Sequence, residues 1–327
     1  MTVSKTVRRG SNPWRYAKIV NMFMDIVTVT CNRDIRQTLI QAESIQKFVS
    51  PCRHWVIVNQ WQITESHKQR WRNYLKPFYT KHKLVLYFPE DLTKPNKVYE
   101  YAHRHSEYWG GFKYQFLIAP EIQDDYLVLN AKNFFIKPSN IEDFRNIVGS
   151  SCVDWDYHRG VSRYPNEIKW HEGVAEIEKY FGDPAPELLL SSQTPAVVNY
   201  KLLTEKIKDF DKLNAWYDEM IEKCAFHGLK LSDWHFYSFV VRDLINKKIN
   251  DNIFYRVNWP AFYKDDFHNN FREWKEFQNH PKIKMTMFHK LWLSQCSDFE
   301  IDLLNIYLRD LGLKTPIARV NLKTIHN

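Results

Sequence analysis

The chain has 327 residues, of which 44% are hydrophobic and 16% aromatic, with nine glycines. This composition excludes collagen-like, low-complexity and disordered classes, and no apolar run reaches the roughly 18 residues of a membrane span. The formal charge of +8 suits nucleic acid, an anionic surface or phosphorylated substrates, or else a basic exterior with no anionic partner.

The basic start, MTVSKTVRRGSNPWRYAK, lacks the apolar centre of a secretory signal. Residues 1–20 read as an arm in which Arg8, Arg9, Arg15 and Lys18 surround Trp14 and Tyr16. Met24–Thr30 is a β-branched run and predicts a strand. After Asn32-Arg33-Asp34, the apolar spacing of Ile35, Leu39, Ile40, Ile45 and Phe48 predicts a helix. Strands are expected at 55–59 and 83–87, separated by a polar helix over about 64–76. This strand–helix rhythm predicts an α/β fold with a parallel sheet, whose ligands sit beyond the carboxyl ends of the strands. The glycine motifs of dinucleotide and P-loop sites are missing.

Residues 100–122 read as helical, broken at Trp109-Gly110-Gly111. DYLVLNAKNFF follows: a buried strand at 125–130 that runs into Asn130-Ala131-Lys132-Asn133 without a turn. Residues 148–170 read as irregular and carry the acidic pair Asp154-Trp155-Asp156, with His158-Arg159 beside it. Helices are expected at 200–225, 232–247 and 298–311. Cys31, Cys52, Cys152, Cys224 and Cys296 are scattered without a CxxC pair, which fits a reducing cytoplasm and neither a disulfide framework nor a zinc site.

The pieces DIVTVTCNRD, HWVIVNQ, GGFKYQFLIAPEIQDDYLVLNAKNFFIKP, TPAVVNYKLL, LSDWHFYSFVV and MFHKLWLS occur in one order between about residues 23 and 311. Together they resemble glycosyltransferases of the GT-A fold, in particular a group from bacteria and phages. The resemblance implies a Rossmann-like mixed sheet flanked by helices with a more helical C-terminal half. It implies one domain over 21–327, with 21–200 binding a nucleotide sugar, UDP-linked in expectation, and 201–327 facing the acceptor. In that family the central strand ends in an acidic residue. Asn130 stands there in this chain, so the carboxylate that would ligate Mn²⁺ or Mg²⁺ is absent at that position.

Breaking a sugar–diphosphate bond builds negative charge on the leaving group, which a metal ion or a fixed cation can stabilise. Lys132 could substitute for the ion: two unit charges at about 4 Å attract by ~4 kcal/mol at an effective dielectric near 20, before desolvation. Asn130 and Asn133 would orient hydroxyls or a weakly held ion; a polar surface loop with a solvated lysine is the plainer reading. Asp154, Asp156 and His289 form the rival metal set. Two carboxylates on one strand at i and i+2 stand ~6–7 Å apart, so they share an ion only if the chain bends.

The resemblance turns Thr28, Thr30, Arg33 and Asp34 toward base and ribose, although Asn32 or Asp34 also suits a helix cap. Asn59 ends the second strand. Lys113 and Gln115 face the donor sugar or lie on an exposed helix face. Asp233 is the expected base for the acceptor hydroxyl, with Ser232 as helix cap; the competing role is to complement the helix dipole. Trp234, His235 and Tyr237 form an aromatic wall or belong to the core. His289 and Lys290 would close over the diphosphate. His103 and His105 share no helix face and are not read as a metal pair.

The charge and the aromatic, basic arm suit DNA, and aromatics can stack an extruded base. The chain also resembles phage proteins, some of which glycosylate hydroxymethylcytosine in their own DNA, so the first expectation is transfer of glucose or arabinose to that base, in the host cytoplasm. The alternatives are a transferase building polysaccharide or lipopolysaccharide, and a non-catalytic nucleic-acid-binding protein on a decayed transferase fold.

Overall fold

The computed structural model describes residues 25–59, 64–92, 113–140, 143–144, 152–154, 165–190, 195–248, 275–276, 278–288, 293–294 and 296–318. The arm at 1–20 lies outside them, as do Asp156, His158, Arg159, His289, Lys290 and the 100–112 stretch.

Strand β1 (Asp25–Thr30) leads through one 3₁₀ turn (Asn32–Asp34) into helix α1 (Ile35–Phe48). Then come β2 (Arg53–Val58), α2 (Glu65–Leu75), β3 (Lys83–Tyr87) and the short helix α3 (Pro89–Leu92). Two further short helices, α4 (Tyr114–Leu117) and α5 (Ala119–Ile122), precede β4 (Tyr126–Asn130). Strands β1, β2, β3 and β4 are parallel. The fifth strand of the sheet, β8 (Ala196–Val198), joins β4 antiparallel, so the order is β3-β2-β1-β4-β8. This is the mixed sheet expected from the sequence.

Two expectations are corrected. The central strand does end in a turn, at Ala131-Lys132, and β5 (Asn133–Phe135) follows it. It pairs antiparallel with β9 (Met285–Met287), 150 residues away by register; a partner so distant leaves no local signal. The supposedly irregular 148–170 holds β6 (Cys152–Asp154), paired with β7 (Leu188–Leu190), and the start of α6 (Pro165–Phe181). That helix is anchored by Val174 and Ile177, three residues apart and both buried.

The C-terminal half is helical as expected: α7 (Tyr200–Lys206), α8 (Phe210–His227), α9 (Asp233–Val240), α10 (Arg242–Lys248) and α11 (Asp298–Asp310). Helix α8 starts at Asp209, whose carboxylate accepts from the amides of Asp211 and Lys212, and stops at Gly228, where φ is +68°. That left-handed stop strains any side chain larger than hydrogen. Ser297 and Glu300 cap the start of α11 reciprocally.

Side chains on a strand alternate between faces, and the sheet divides them cleanly. Val27, Trp55, Ile57, Tyr126, Val128, Ala196 and Val198 form one core with Leu213 and Tyr217 of α8 and Phe236 and Tyr237 of α9. Ile26, Leu127, Leu129 and Val197 meet Ile45 of α1 and Phe135. Each such large apolar side chain contributes about 1.5–3 kcal/mol on burial. None of the described helices is long and apolar enough to cross a membrane.

Candidate active site

Three neighbouring strand ends make the site. Register sets Thr30 opposite Val58 and Val29 opposite Asn130, and the Asn59 amide donates to the Thr30 carbonyl at 2.7 Å. Arg33, Asp34, Asn59, Asn130, Lys132 and Asn133 thus gather at one carboxyl edge, where parallel sheets bind ligands. Asp34 stands at the N-cap position of α1, yet its side chain makes no capping bond. Among the described residues its Oδ2 meets the Cys31 thiol alone, at 3.9 Å, and its Oδ1 is buried without a hydrogen-bond partner, as is Oδ1 of Asn59. An unmet buried acceptor costs about 1–3 kcal/mol; a ligand bringing O–H or N–H donors recovers that.

The Asn130–Asn133 turn is built from its own amides and from α1. The Lys132 amide donates to Asn130 Oδ1 at 3.1 Å, and the Asn130 amide donates to Asn133 Oδ1 at 2.8 Å. Gln41 Nε2 donates to the carbonyls of both Asn130 and Asn133, each at 2.8 Å. One helical turn on, Ser44 Oγ accepts from the Phe135 amide at 3.0 Å and donates to the Gln41 carbonyl at 2.7 Å. Lys132 is 4% exposed, so its position is fixed by packing as well.

A divalent cation does not fit this strand end. Such ions prefer carboxylate oxygens, and β4 itself ends in none: the Oδ1 atoms of Asn130 and Asn133 already accept backbone N–H bonds. Among the described residues no group of three or more His, Cys, Asp or Glu is placed to hold a metal. Asp154 pairs its backbone with Leu188 in the β6–β7 ladder; its side chain, Asp156 and His289 lie outside the described residues.

Thr28 and Thr30 share the strand face beneath α1. The Thr28 hydroxyl donates to Gln41 Oε1 at 2.8 Å and lies 2.9 Å from His54 Nε2. The Thr30 hydroxyl lies 2.6 Å from that of Thr38. We assign both threonines to the support of the edge rather than to its open face.

Lys113 is fully buried, so of its two expected places, the donor side or an exposed helix face, the second is excluded. Its ammonium donates to Asn214 at 2.7 Å and to Asp218 at 2.8 Å, tying the segment before α4 to α8. Burial pushes its pKa down to about 8, against the pull of Asp218. Gln115 is 1% exposed, with Nε2 lacking a partner; its carbonyl accepts from the Tyr126 hydroxyl at 2.6 Å.

Asp233 opens α9. Ser232 holds the N-cap position without a capping bond, and its Oγ is buried and unpartnered. Burial pushes the Asp233 carboxyl up to about 7; the nearby Tyr217 hydroxyl and the Asp233 amide pull the other way. The Tyr217 hydroxyl has no hydrogen bond of good geometry. A carboxyl that titrates near neutrality in an apolar setting matches what proton transfer needs. Trp234 and Tyr237 are core residues, buried among aromatics, while the His235 ring stands edge-on to Trp170. The Cβ of an alanine at Gly173 would fall 1.9 Å from the Lys230 carbonyl, so α6 presses directly on the loop leading to Asp233.

Sequence reasoning missed Gln41, His54 and Tyr217. The signal for Gln41 was present as a polar row, Thr38, Gln41 and Ser44, running along a helix face at three-residue spacing.

No family model matches the chain, and no curated protein does. Solved structures do. The galactosyltransferase LgtC, in complex with donor and acceptor sugar analogues, is 12% identical with a TM-score of 0.45, the match covering 90% of this chain and 98% of that one. The glycosyltransferase GlyE of Streptococcus pneumoniae is 12% identical with a TM-score of 0.44, over 89% of this chain and 61% of its own. The bifunctional glycosyltransferase WbbM is 10% identical with a TM-score of 0.41, over 82% of this chain. The chain spans 46% of WbbM's length.

Proposed function

We propose that this protein is a glycosyltransferase that binds a nucleotide sugar at the carboxyl edge of its sheet. The observation that carries the reading is the set of side chains on three adjacent strand ends. Asp34 and Asn59 present buried acceptors without partners, and the lysine-bearing Asn130–Asn133 turn stands one strand away. Buried acceptors call for O–H or N–H donors, which a ribose or a base edge supplies. Lys132 answers the charge that develops on a departing diphosphate. Arg33 precedes Asp34 in the β1–α1 turn. Asp233 takes the proton of the acceptor hydroxyl, Gln115 contributes its amide on the donor side, and His289 and Lys290 complete the diphosphate contacts. The organisation that goes with this is a donor half over 21–200 and an acceptor half over 201–327, in a cytoplasmic enzyme.

For the acceptor we infer DNA, with hydroxymethylated cytosine as the hydroxyl-bearing base. The support is the +8 charge and the basic, aromatic arm of residues 1–20. The test is incubation with a panel of nucleotide sugars and either plain or hydroxymethylcytosine-containing DNA. The expected result is transfer to the modified DNA alone. Donor hydrolysis without transfer overturns the DNA acceptor and keeps the transferase; DNA binding without donor binding overturns both.

A further inference from the structure

A directed chain of hydrogen bonds runs under the sheet and ends on the Asn130–Asn133 turn. Gln41 is fully buried. Both contacts of its Nε2 are carbonyls, so the amide orientation is settled: Nε2 donates twice, and Oε1 accepts from Thr28. Thr28 has one proton and gives it to Gln41, so it accepts from His54, which lies 2.9 Å away through Nε2. His54 therefore carries its proton on Nε2. Its Nδ1, 2.6 Å from the Tyr79 hydroxyl, accepts from Tyr79. Burial keeps the ring neutral, in agreement with the one tautomer the bonds allow. Every link points the same way, from Tyr79 through His54, Thr28 and Gln41 to the two carbonyls.

We propose that Gln41 is a positioning residue for transfer, and that the Tyr79–His54–Thr28 relay fixes its amide so that both N–H groups hold the lysine-bearing turn. This rests on the donor-binding reading of that turn. Without Gln41 the turn keeps its internal bonds to the Asn130 and Asn133 side chains but loses both hydrogen bonds that Gln41 gives it from α1. Lys132 then drifts from the point where leaving-group charge appears, and a shift of about 1 Å in such geometry costs on the order of 100-fold in rate. Ground-state binding of the donor, spread over Asp34, Asn59 and the rest of the edge, changes much less.

The full chain is compared with Gln41→Met, which keeps the volume and loses both donors, with Thr28→Val, which frees the amide to rotate, and with Thr28→Ser, which restores the hydroxyl. Lys132 is followed by amine labelling with mass spectrometry, sugar transfer by kcat and donor KM, and folding by thermal midpoint. The expected result is faster labelling of Lys132 in Gln41→Met and Thr28→Val. Their kcat falls by ~10–100-fold with little change in donor KM, and Thr28→Ser stays close to wild type. Unchanged labelling and kcat in folded Gln41→Met and Thr28→Val overturn the proposal. Equal losses in kcat and in binding reduce Gln41 to general support and overturn it as well. Faster labelling in a chain whose wild type transfers no sugar upholds the link between Gln41 and the turn, and removes the donor reading instead.

Discussion

Buried polar groups meet opposite fates in two clusters of this molecule, one beneath α1 and one between α8 and α9. Beneath the sheet, Thr28, Thr38, Gln41, Ser44 and His54 sit in the interior, and each is matched to a neighbour at hydrogen-bond distance. Between α8 and α9, Ser232 Oγ is buried without a partner among the described residues and the Tyr217 hydroxyl makes no bond of good geometry, beside a carboxyl pushed up to about 7. A satisfied buried network stiffens what it supports, whereas an under-satisfied one leaves a group able to exchange protons. On the proposed function, the first cluster holds the ligand-binding turn still and the second carries the proton.

Four experiments break or sharpen that contrast. Asp233→Asn keeps the shape and removes the base, so transfer falls by ~10²–10⁴-fold, while donor affinity measured by calorimetry stays close to wild type. In the wild type, transfer rises with pH as Asp233 loses its proton near 7. The same carboxyl sets a stability trend. Its folded pKa is raised, so between its ordinary value and about 7 the native state binds more protons than the unfolded one. Stability from this group is therefore present at low pH and lost as pH climbs through that window. Asp233→Asn flattens the trend and gains ~2 kcal/mol at neutral pH by denaturant titration, less than the full shift because water reaches the side chain.

Arg53→Met breaks a satisfied, part-buried pair at the start of β1. Arg53 holds the buried Asp25 carboxylate through two bonds, at 2.7 and 2.5 Å. Burial raises the Asp25 pKa, and Arg53 opposes that rise. Removing the guanidinium strands a charge at the start of β1 and costs ~3 kcal/mol by urea unfolding. Gly173→Ala forces α6 away from the Lys230 carbonyl and costs ~2 kcal/mol. It also lowers kcat by displacing the loop before Asp233, which a thermal scan paired with a transfer assay separates. Lys132→Ala slows transfer by ~100-fold, at least as much as displacing the lysine does, and lowers the thermal midpoint slightly because the side chain is buried. If wild type and this variant lose activity equally in chelator, a metal rather than the lysine carries the leaving-group charge.

The parallel sheet was legible because its cues are local. β-branched runs such as Asp25–Thr30 and the apolar period of α1 declare themselves within a few residues. The edge residues Asp34, Asn59 and Asn130–Asn133 could be placed for the same reason, since each follows directly on a strand. The β5–β9 pairing could not be read, because its two strands lie far apart in the chain. The burial of Lys113 could not be read either, because only the arrival of Asn214 and Asp218, about a hundred residues on, makes burial of its charge tolerable.

By itself, then, the sequence determined the α/β class, the helical C-terminal half and the absence of a carboxylate at the end of the central strand, all properties of adjacent residues. Tertiary structure alone decided which polar side chains are occupied and which are not. Thr28 became a support when Gln41 and His54 came within reach, and Asp233 became titratable near neutrality when α8 closed over it. Hydrogen-bond satisfaction and desolvation depend on what folding brings near, and no window of the sequence contains those neighbours.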